Sequence, residues 1–269
     1  MAARRSSAER VRLERRGAVA WLTLDRPDAM NAIDPETVRQ FDEALSQVER
    51  DPELKVGVVT GTGQAFCSGA DLKAVGRISG LQERAAAAYE FLRAANALMR
   101  RIDTFPKPII AAVNGVAFAG GLELVLCCDL VIASETAVFG DVHARHGLIP
   151  GWGGSVRLPR KIGVNRAKEL LLTGETRSAA VMREWGLVNQ VVAAGELVHA
   201  ASSLASTLAS RSPLGLRRMK QLIDDGLEQS LEIALRAERV MCEAHNGSND
   251  RAEGIRAFAE KRAPVFTGT

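Results

Sequence analysis

The stretch of residues 114–129 (NGVAFAGGLELVLCCD) restricts the possible folds and functions of this chain more than any other. It places one carboxylate, Glu123, in an apolar run that carries no other charge between Pro108 and Cys128. Burying an unpaired carboxylate is costly, so such a group finds a partner or has a raised pKa. Glu123 is therefore a candidate general acid or base. The alternative is a buried core helix with one hydrogen-bonded glutamate.

Glycines in the same stretch allow unusual backbone angles and close approach of the chain: Gly115, Gly120 and Gly121. A helix that begins at Gly120 and Gly121 would direct free backbone N–H groups at whatever lies in front of it. Such donors suit an oxyanion that develops during a reaction. Residues 65–72 (AFCSGADL) form a second small-residue loop ahead of a predicted helix. In contrast, residues 61–63 (GTG) lack the lysine that follows in a phosphate-binding loop and predict a plain turn.

The charge balance excludes some classes of partner. With 35 basic and 32 acidic residues the net charge is +3, and aromatic residues make up only 4 % of the chain. Neither value favours nucleic acid. Arginines cluster near the start, which predicts a solvated tail or edge strand, or alternatively an arm that contacts phosphate: Arg4, Arg5, Arg10, Arg12, Arg15 and Arg16. Asn114, Glu123 and the glycines interrupt the long apolar run of residues 108–128, so we expect no membrane span.

The cysteines show no spacing typical of a metal or redox site: Cys67, Cys127, Cys128 and Cys242. We interpret them as buried thiols in a reducing compartment. Residues 1–14 contain no apolar segment of the kind found in signal peptides. The predicted location is therefore cytoplasmic.

Strand-like and helix-like segments alternate up to residue 195, the pattern of parallel crossover units in an α/β fold. The predicted strands are residues 11–14, 19–24, 56–60, 109–113, 129–133 and 188–192. The predicted helices of this part are residues 35–50, 82–102, 154–161, 164–173 and 178–185. We expect a disordered tail over residues 1–10 and a mobile loop over residues 73–82. Beyond residue 195 no strand pattern appears, and helices are predicted at 196–210, 213–225, 228–245 and 249–261.

Residues 139–154 (FGDVHARHGLIPGWGG) contain two histidines at a spacing of i, i+3. A metal site would need a clear third ligand, which is missing, so we predict no metal. His143 is the candidate site residue, whereas His146 is expected at the surface or supporting His143. His199 and His245 lie in polar helical stretches and are predicted to be surface residues.

Several ordered segments together resemble the crotonase family, the enoyl-CoA hydratase/isomerase superfamily. The resemblance covers residues 11–267. It rests on residues 24–27 (LDRP) with Asn31 and Ala32, residues 66–72 (FCSGADL), Asn114-Gly115 through 120–123 (GGLE), Phe139-Gly140, residues 150–154 (PGWGG) and residues 258–262 (FAEKR).

The resemblance implies an α/β fold in which ββα units form a spiral core over residues 11–195. It implies that residues 196–269 form a helical oligomerisation region, which builds homotrimers that often pair into hexamers. The ligand would be an acyl-CoA thioester, as in fatty acid metabolism, and no cofactor is needed because CoA is part of the substrate. In the family two backbone N–H groups polarise the thioester carbonyl, and the matching positions are Ala70 and Gly120.

The resemblance also implies a set of contacts with CoA and the acyl group: Arg26, Ala32, Phe66, Ser68, Ala70, Asp71, Leu72, Gly121, Trp152 and, from a neighbouring subunit, Lys261. A cation suits the phosphates of CoA, which is why Arg26 and Lys261 are included. Lys261 is alternatively a solvated surface lysine. Trp152 is equally a packing residue or a residue of the acyl pocket.

One position departs from the family pattern. Family hydratases use two glutamates around one water; Glu123 matches the first, and the second falls on His143. We predict hydration of a trans-2-enoyl-CoA to a 3-hydroxyacyl-CoA, in which Glu123 activates water and His143 carries the second proton, oriented by Asp141 or His146. The alternatives are another crotonase-type reaction, such as double-bond isomerisation or C–C bond hydrolysis, or a non-catalytic acyl-CoA binder. Simple isomerisation is disfavoured because family isomerases usually keep a glutamate at the position of His143.

Overall fold

The computed structural model describes residues 9–73 and 80–269. Most of the predicted disordered tail, residues 1–8, lies outside the described residues. The same is true of residues 74–79 within the predicted mobile loop. For these residues the two predictions stay predictions, whereas Leu81 and Gln82 at the end of the predicted loop belong to a helix.

The described residues form ten strands and ten α-helices. The strands are β1 (Val11–Arg16), β2 (Val19–Leu24), β3 (Val56–Gly61), β4 (Ala65–Cys67), β5 (Ile109–Val113), β6 (Val116–Phe118), β7 (Leu130–Ser134), β8 (Val138–Gly140), β9 (Thr176–Ser178) and β10 (Gln190–Val192). The helices are α1 (Pro35–Arg50), α2 (Leu81–Asp103), α3 (Gly120–Leu126), α4 (Gly154–Ile162), α5 (Val164–Thr173), α6 (Ala179–Glu184), α7 (Leu197–Ala209), α8 (Pro213–Gly226), α9 (Leu231–Asn246) and α10 (Asn249–Glu260).

The strands build two sheets. The larger has the order β1-β2-β3-β5-β7-β10 and is parallel except for β1, and the smaller has the order β4-β6-β8-β9 with β9 antiparallel. Each of the pairs β3/β4, β5/β6 and β7/β8 gives one strand to each sheet and is followed by a helix. This confirms the predicted spiral of ββα units. The short strands of the smaller sheet, only three residues each, had not been predicted.

Helix α1 contributes the apolar face predicted from the sequence to the hydrophobic core. Asp34 caps the start of helix α1, because its side chain accepts a hydrogen bond from the N–H of Thr37 at 2.7 Å. Pro35 is the first residue of the helix. Such a cap and proline start a helix because they fit its unpaired first N–H groups. The helix buries the predicted apolar face: Val38, Phe41, Leu45 and Val48. Together with both sheets and helices α2 to α6 it encloses the main hydrophobic cluster.

The opposite face of the larger sheet is covered by α7. This helix packs on β2, β3, β5 and β7, and buries Leu197, Ala201 and Ala205 against side chains such as Trp21 and Ile110. Helices α8 to α10 follow beyond it and expose many large apolar side chains. The predicted division at residue 195, with an oligomerisation region after it, stays a prediction.

The cysteine prediction is right in three positions and wrong in one. Cys67, Cys127 and Cys128 are buried, and burial raises the pKa of the Cys67 and Cys127 thiols to about 12. Cys242 is exposed because it lies on the outer surface of α9. Among the described residues, no helix combines the length and apolar character needed to cross a bilayer. The cytoplasmic location stays a prediction.

We expect Gly115→Ala to destabilise the fold, because a Cβ at Gly115 would lie 2.0 Å from the carbonyl oxygen of Gln64. Gln64 lies in the β3–β4 connection and Gly115 in the β5–β6 connection, so the added Cβ would force the backbone of these connections to shift. Overpacking of this kind costs about 1–3 kcal/mol, and the thermal midpoint should fall by roughly 2 °C or more. Gly195→Ala is the control, since a Cβ there meets nothing within 4 Å. Equal midpoints for the two variants would contradict the described contact.

Candidate active site

Two loops bring the predicted oxyanion donors together. Gly69 has φ +103°, and a Cβ there would lie 3.0 Å from the backbone nitrogen of Gly120. The loop that carries Ala70 therefore lies directly against the first residue of α3. Neither the N–H of Ala70 nor that of Gly120 donates to another described residue. Ala119, just before the helix, has φ +48°, a strained angle for a residue with a Cβ.

Glu123 lies in the first turn of α3, where every residue of the helix is buried, and it is itself 1 % exposed. Its Oε1 accepts two backbone N–H groups, from Trp152 at 2.7 Å and from Gly154 at 2.8 Å. No described residue donates to its Oε2. Burial raises the pKa of Glu123, although the two N–H groups and the nearby His143 act in the opposite direction. The predicted burial of this carboxylate is confirmed, and Oε1 also has the hydrogen-bond partners that the alternative interpretation required.

The turn before α4 supplies those two donors. Gly153 has φ +108°, which favours glycine, and a Cβ at Gly154 would lie 3.2 Å from both Cγ and Oε1 of Glu123. The carbonyl of Trp152 accepts a hydrogen bond from Arg157 at 3.0 Å, which holds the turn from the other side. Sequence reasoning missed these two amides, because residues 150–154 (PGWGG) do not show that their N–H groups meet Glu123.

His143 opens a short 3₁₀ turn, His143–His146, that follows β8. Its Nδ1–H donates to Oδ1 of Asp141 at 2.7 Å, and Asp141 is 1 % exposed. Burial lowers the pKa of His143, but the hydrogen bond to Asp141 and the charges of Asp141 and Glu123 outweigh it, so the pKa is raised. His143 and Glu123 are thus close enough for each to shift the pKa of the other. His146 is exposed, as one of the two predictions for it stated.

The residues predicted to contact CoA differ in their burial and in the hydrogen bonds that they make. The Arg26 guanidinium donates to the carbonyl of Ala32 at 2.6 Å and to Asp71 at 2.9 Å. It therefore ties the loop of residues 66–72 to the segment after β2. The side chain of Phe66 is fully buried in the core, whereas Leu72 is exposed. The roles of these residues toward CoA stay predictions, and so does the role of the half-buried Ser68.

Trp152 packs inside the site and is 4 % exposed. Its ring contacts Phe91 of α2 edge-to-face at a centroid distance of 5.7 Å, and it covers Gly120, where a Cβ would lie 2.1 Å from Cζ3. The Trp152 ring therefore leaves no room for a side chain at residue 120. Residue 121 has no room for one either, because a Cβ there would lie 2.1 Å from the carbonyl oxygen of Cys67. The packing role predicted for Trp152 is observed, and a contact with the acyl group stays a prediction.

Lys261 lies on the surface directly after α10, with a left-handed φ of +55°. The other histidines differ from each other: His199 is exposed, whereas His245 is half-buried with its Nδ1 2.9 Å from Arg218. The prediction of a plain surface residue is therefore wrong for His245, because α8 packs against its ring. Within residues 9–73 and 80–269, no three His, Cys, Asp or Glu side chains come together as a metal site would require.

Comparison with known proteins places this geometry in a family context. A family model described as enoyl-CoA hydratase/isomerase matches residues 14–269. The chain is 41 % identical over 259 residues to the mitochondrial enoyl-CoA hydratase domain-containing protein 2 of Mus musculus, covering 93 % of this chain and 84 % of that protein. It is 39 % identical over 259 residues to the (E)-benzylidenesuccinyl-CoA hydratase of Thauera aromatica, covering 96 % and 99 %. The crystal structure of an enoyl-CoA hydratase from Bacillus anthracis is similar with a TM-score of 0.92 and 35 % identity, covering 97 % and 100 %.

We expect Glu123→Gln to raise the thermal midpoint at neutral and alkaline pH. Because burial raises the pKa of Glu123 above its ordinary 4.5, the folded protein keeps this proton at pH values where the unfolded chain has lost it. The stability from that proton is complete below pH 4.5 and is lost as the pH rises through the raised pKa. Glutamine stays neutral and still accepts both amides, so the gap between variant and wild type should narrow toward acid pH.

The measurement is the thermal midpoint as a function of pH, with Glu135→Gln as the control because Glu135 is exposed. The control should follow the wild type at every pH. A Glu123→Gln protein that is less stable than wild type above neutral pH would show that the buried charge does not destabilise the folded protein.

Proposed function

The chain belongs to the enoyl-CoA hydratase/isomerase family, as its motifs predict, and we propose that it adds water to a trans-2-enoyl-CoA to give a 3-hydroxyacyl-CoA. The observation that carries this proposal is the state of Glu123. One carboxylate oxygen is fixed by two backbone amides, and the other has no donor among the described residues. A buried, oriented carboxylate with a raised pKa is suited to take a proton from water.

The thioester carbonyl would dock between the N–H groups of Ala70 and Gly120. These donors lie on adjacent loops and have no other partner among the described residues. When water adds at Cβ, the electron pair of the C=C bond moves toward the thioester and the carbonyl oxygen becomes an enolate oxyanion. Each donor aimed at that oxygen lowers the barrier by about 3 kcal/mol.

Proton transfer would use both titratable groups. Glu123 takes the proton of the attacking water through Oε2 as the new C–O bond forms at Cβ. His143, as imidazolium, gives a proton to Cα as the enolate collapses. The raised pKa of His143 keeps it protonated closer to neutral pH, and the raised pKa of Glu123 makes it a stronger base. A proton passed from Glu123 to His143 through water then restores the starting state.

The names of the relatives support a hydratase, since (E)-benzylidenesuccinyl-CoA hydratase is 39 % identical. The family name also includes isomerases. The competing proposals are double-bond isomerisation, C–C bond hydrolysis and acyl-CoA binding without catalysis. A buried Glu123 speaks against the last, because a binder has no use for a carboxylate that must be desolvated.

The same proposal includes assembly with further copies of this chain, as a homotrimer or a pair of trimers. Helices α8 to α10 and the turn after α8 expose large apolar side chains that a lone subunit would leave in water: Met219, Ile223, Leu227, Leu231, Ile233, Leu235, Val240, Ile255 and Phe258. Large apolar side chains exposed in such number are typical of an interface. Assembly would also bring Lys261 to a neighbouring subunit, where the proposed role is to bind a CoA phosphate.

We expect Glu123→Gln to lose roughly 10²-fold or more in turnover on 2-enoyl-CoAs, because the amide cannot accept the proton of water. CoA ligands should still bind, since the amide keeps the contacts of Oε1. The measurement is loss of the enoyl absorbance across a panel of 2-enoyl-CoAs, together with ligand binding by calorimetry. His143→Ala should also lose activity, whereas His146→Ala, an exposed residue on the same turn, should not.

Unchanged turnover in Glu123→Gln would reject the role of Glu123. A wild type that binds CoA ligands but leaves the absorbance unchanged would reject hydration. Appearance of a shifted double bond would then indicate isomerisation, and release of a shorter acid would indicate C–C bond hydrolysis.

We expect Leu231→Glu to reduce the molar mass in solution, because a charge placed in the proposed interface must be desolvated on assembly. Leu172→Glu is the matched control: both leucines are 76 % exposed, but Leu172 lies on α5, outside α8 to α10. Light scattering after size exclusion measures the mass of wild type and both variants. A wild type that elutes as a monomer, or a control that dissociates as readily as Leu231→Glu, would contradict the assignment of this surface.

A further inference from the structure

We propose that Asp141 is the second carboxylate of the site, and that it acts on the substrate through His143 as a positioning residue. This inference rests on the proposed function, because the step it serves is protonation of Cα. The family pattern puts the second carboxylate at the position of His143. Here the carboxylate lies two residues earlier in the chain, at Asp141, and it is hydrogen-bonded to the imidazole of His143.

The first support is geometric. Nδ1–H of His143 donates to Oδ1 of Asp141 at 2.7 Å, and the backbone N–H of His143 donates to the same oxygen at 3.3 Å. Asp141 directly follows β8, which pairs with β6 on one side and β9 on the other. The carboxylate is therefore anchored at the end of a central strand, and it fixes both the ring and the backbone of His143.

The second support is an unsatisfied atom. Oδ2 of Asp141 is buried and has no hydrogen-bond partner among the described residues. A buried carboxylate oxygen without a donor is costly, and each such atom in a folded protein calls for an explanation. Among the described residues, the ion pair of Asp141 is the one with His143, so protonated His143 is the cation that stabilises its charge. A purely structural aspartate would be better served by donors on both oxygens.

The bond to Asp141 determines which nitrogen of His143 does chemistry. A carboxylate only accepts hydrogen bonds, so Nδ1 keeps its proton in both charge states of the ring. Nε2 alone is left to give and regain a proton, which is how an aspartate usually orients a catalytic histidine. Asp141 in this way sets the tautomer, the orientation and the proton affinity of the group that faces the substrate.

The charged groups around His143 agree with this assignment. Asp141 and Glu123, from α3, are the charges that raise the pKa of His143, against the effect of burial. Helix α5 packs against the turn and carries Arg166, Lys168 and Glu169. None of these three is among the groups that shift the pKa of His143. Removing the charge of Asp141 should therefore change the titration of His143 more than any other single substitution outside the ring itself.

The first experiment follows the histidine rings by NMR and needs no turnover. The chain has only four histidines, so the resonances of His143 can be assigned with His143→Ala and His146→Ala. In the wild type we expect the proton of neutral His143 to reside on Nδ1. In Asp141→Asn we expect the pKa of His143 to fall and the tautomer preference to be lost. Asp129→Asn, which alters a carboxylate paired with Lys220 instead, should leave both unchanged.

A wild-type ring that carries its proton on Nε2 would overturn the proposal, and so would a pKa of His143 that stays the same in Asp141→Asn. The wild-type tautomer decides the question even where Asp141→Asn does not fold. Because the NMR experiment observes the imidazole ring of His143 directly, it tests the proposal whether or not the chain proves to be a hydratase.

The second experiment is a double-mutant cycle on enoyl-CoA hydration. Asp141→Asn should lower kcat roughly 10-fold or more with little change in KM, and its activity should fall off at lower pH than that of wild type. Asp141→Glu, which keeps the charge, should retain more activity than Asp141→Asn. In a His143→Ala background, Asp141→Asn should have no further effect, because a residue that acts only through the imidazole loses its role with it.

An Asp141→Asn effect that is as large in the His143→Ala background as alone would overturn the proposal, since it would show a structural or direct role. A wild type without hydration activity would reject the proposed function and leave the NMR result to decide the pairing of Asp141 with His143.

Discussion

The backbone N–H groups of Trp152 and Gly154 both donate to Oε1 of Glu123, at 2.7 and 2.8 Å, inside a helix that is buried on every side. The two bonds lower the pKa of the carboxyl, yet burial raises it by more. Desolvation therefore outweighs hydrogen bonding at this residue. The same arrangement fixes one oxygen and leaves the other with no donor among the described residues, which is the state that a general base requires.

This contact can form only if three parts of the chain approach closely. Glycine at residue 154 favours this approach, because a Cβ there would lie 3.2 Å from Oε1 of Glu123, closer than ordinary van der Waals contact. Residue 121 meets the carbonyl of Cys67, and residue 120 lies under the ring of Trp152. Loops from successive ββα units thus meet around Glu123, and glycines allow the close approach. The oxyanion donors proposed at Ala70 and Gly120 are a consequence of the same convergence.

The sequence predicts the larger sheet well and the smaller sheet not at all. Strands β2, β3, β5 and β7 are apolar runs of five or six residues, long enough to show a pattern. Strands β4, β6, β8 and β9 have three residues each, which is too short for a readable periodicity. Strand β10 of the larger sheet is equally short, and the predicted strand of residues 188–192 nevertheless overlaps it.

The site shows a similar division between what the sequence predicts and what it does not. The sequence identifies Glu123 as a candidate because a charged residue in an apolar run is costly to bury. It identifies His143 because this residue departs from the family pattern. The donors of the turn before α4 carry no such signal, since any residue has an N–H. The isolation of Oδ2 of Asp141 depends on burial that only the folded chain reveals.

A histidine paired with an aspartate preserves the charge and proton count of a two-glutamate site. In such a site, one glutamate must be ionised to accept a proton from water and the other protonated to deliver one, which gives one negative charge and one available proton. In the proposed mechanism, the carboxylates of Glu123 and Asp141 together with the imidazolium of His143 give the same charge and the same single proton. What changes is the carrier, because the acidic proton moves from a carboxyl group to an imidazole whose pKa Asp141 and Glu123 raise. The two glutamates of the family compete for one proton, whereas here each of the opposite charges on Glu123 and His143 favours the ionised form of the other. The proposed base and the proposed acid can therefore both be in their reactive forms at the same pH.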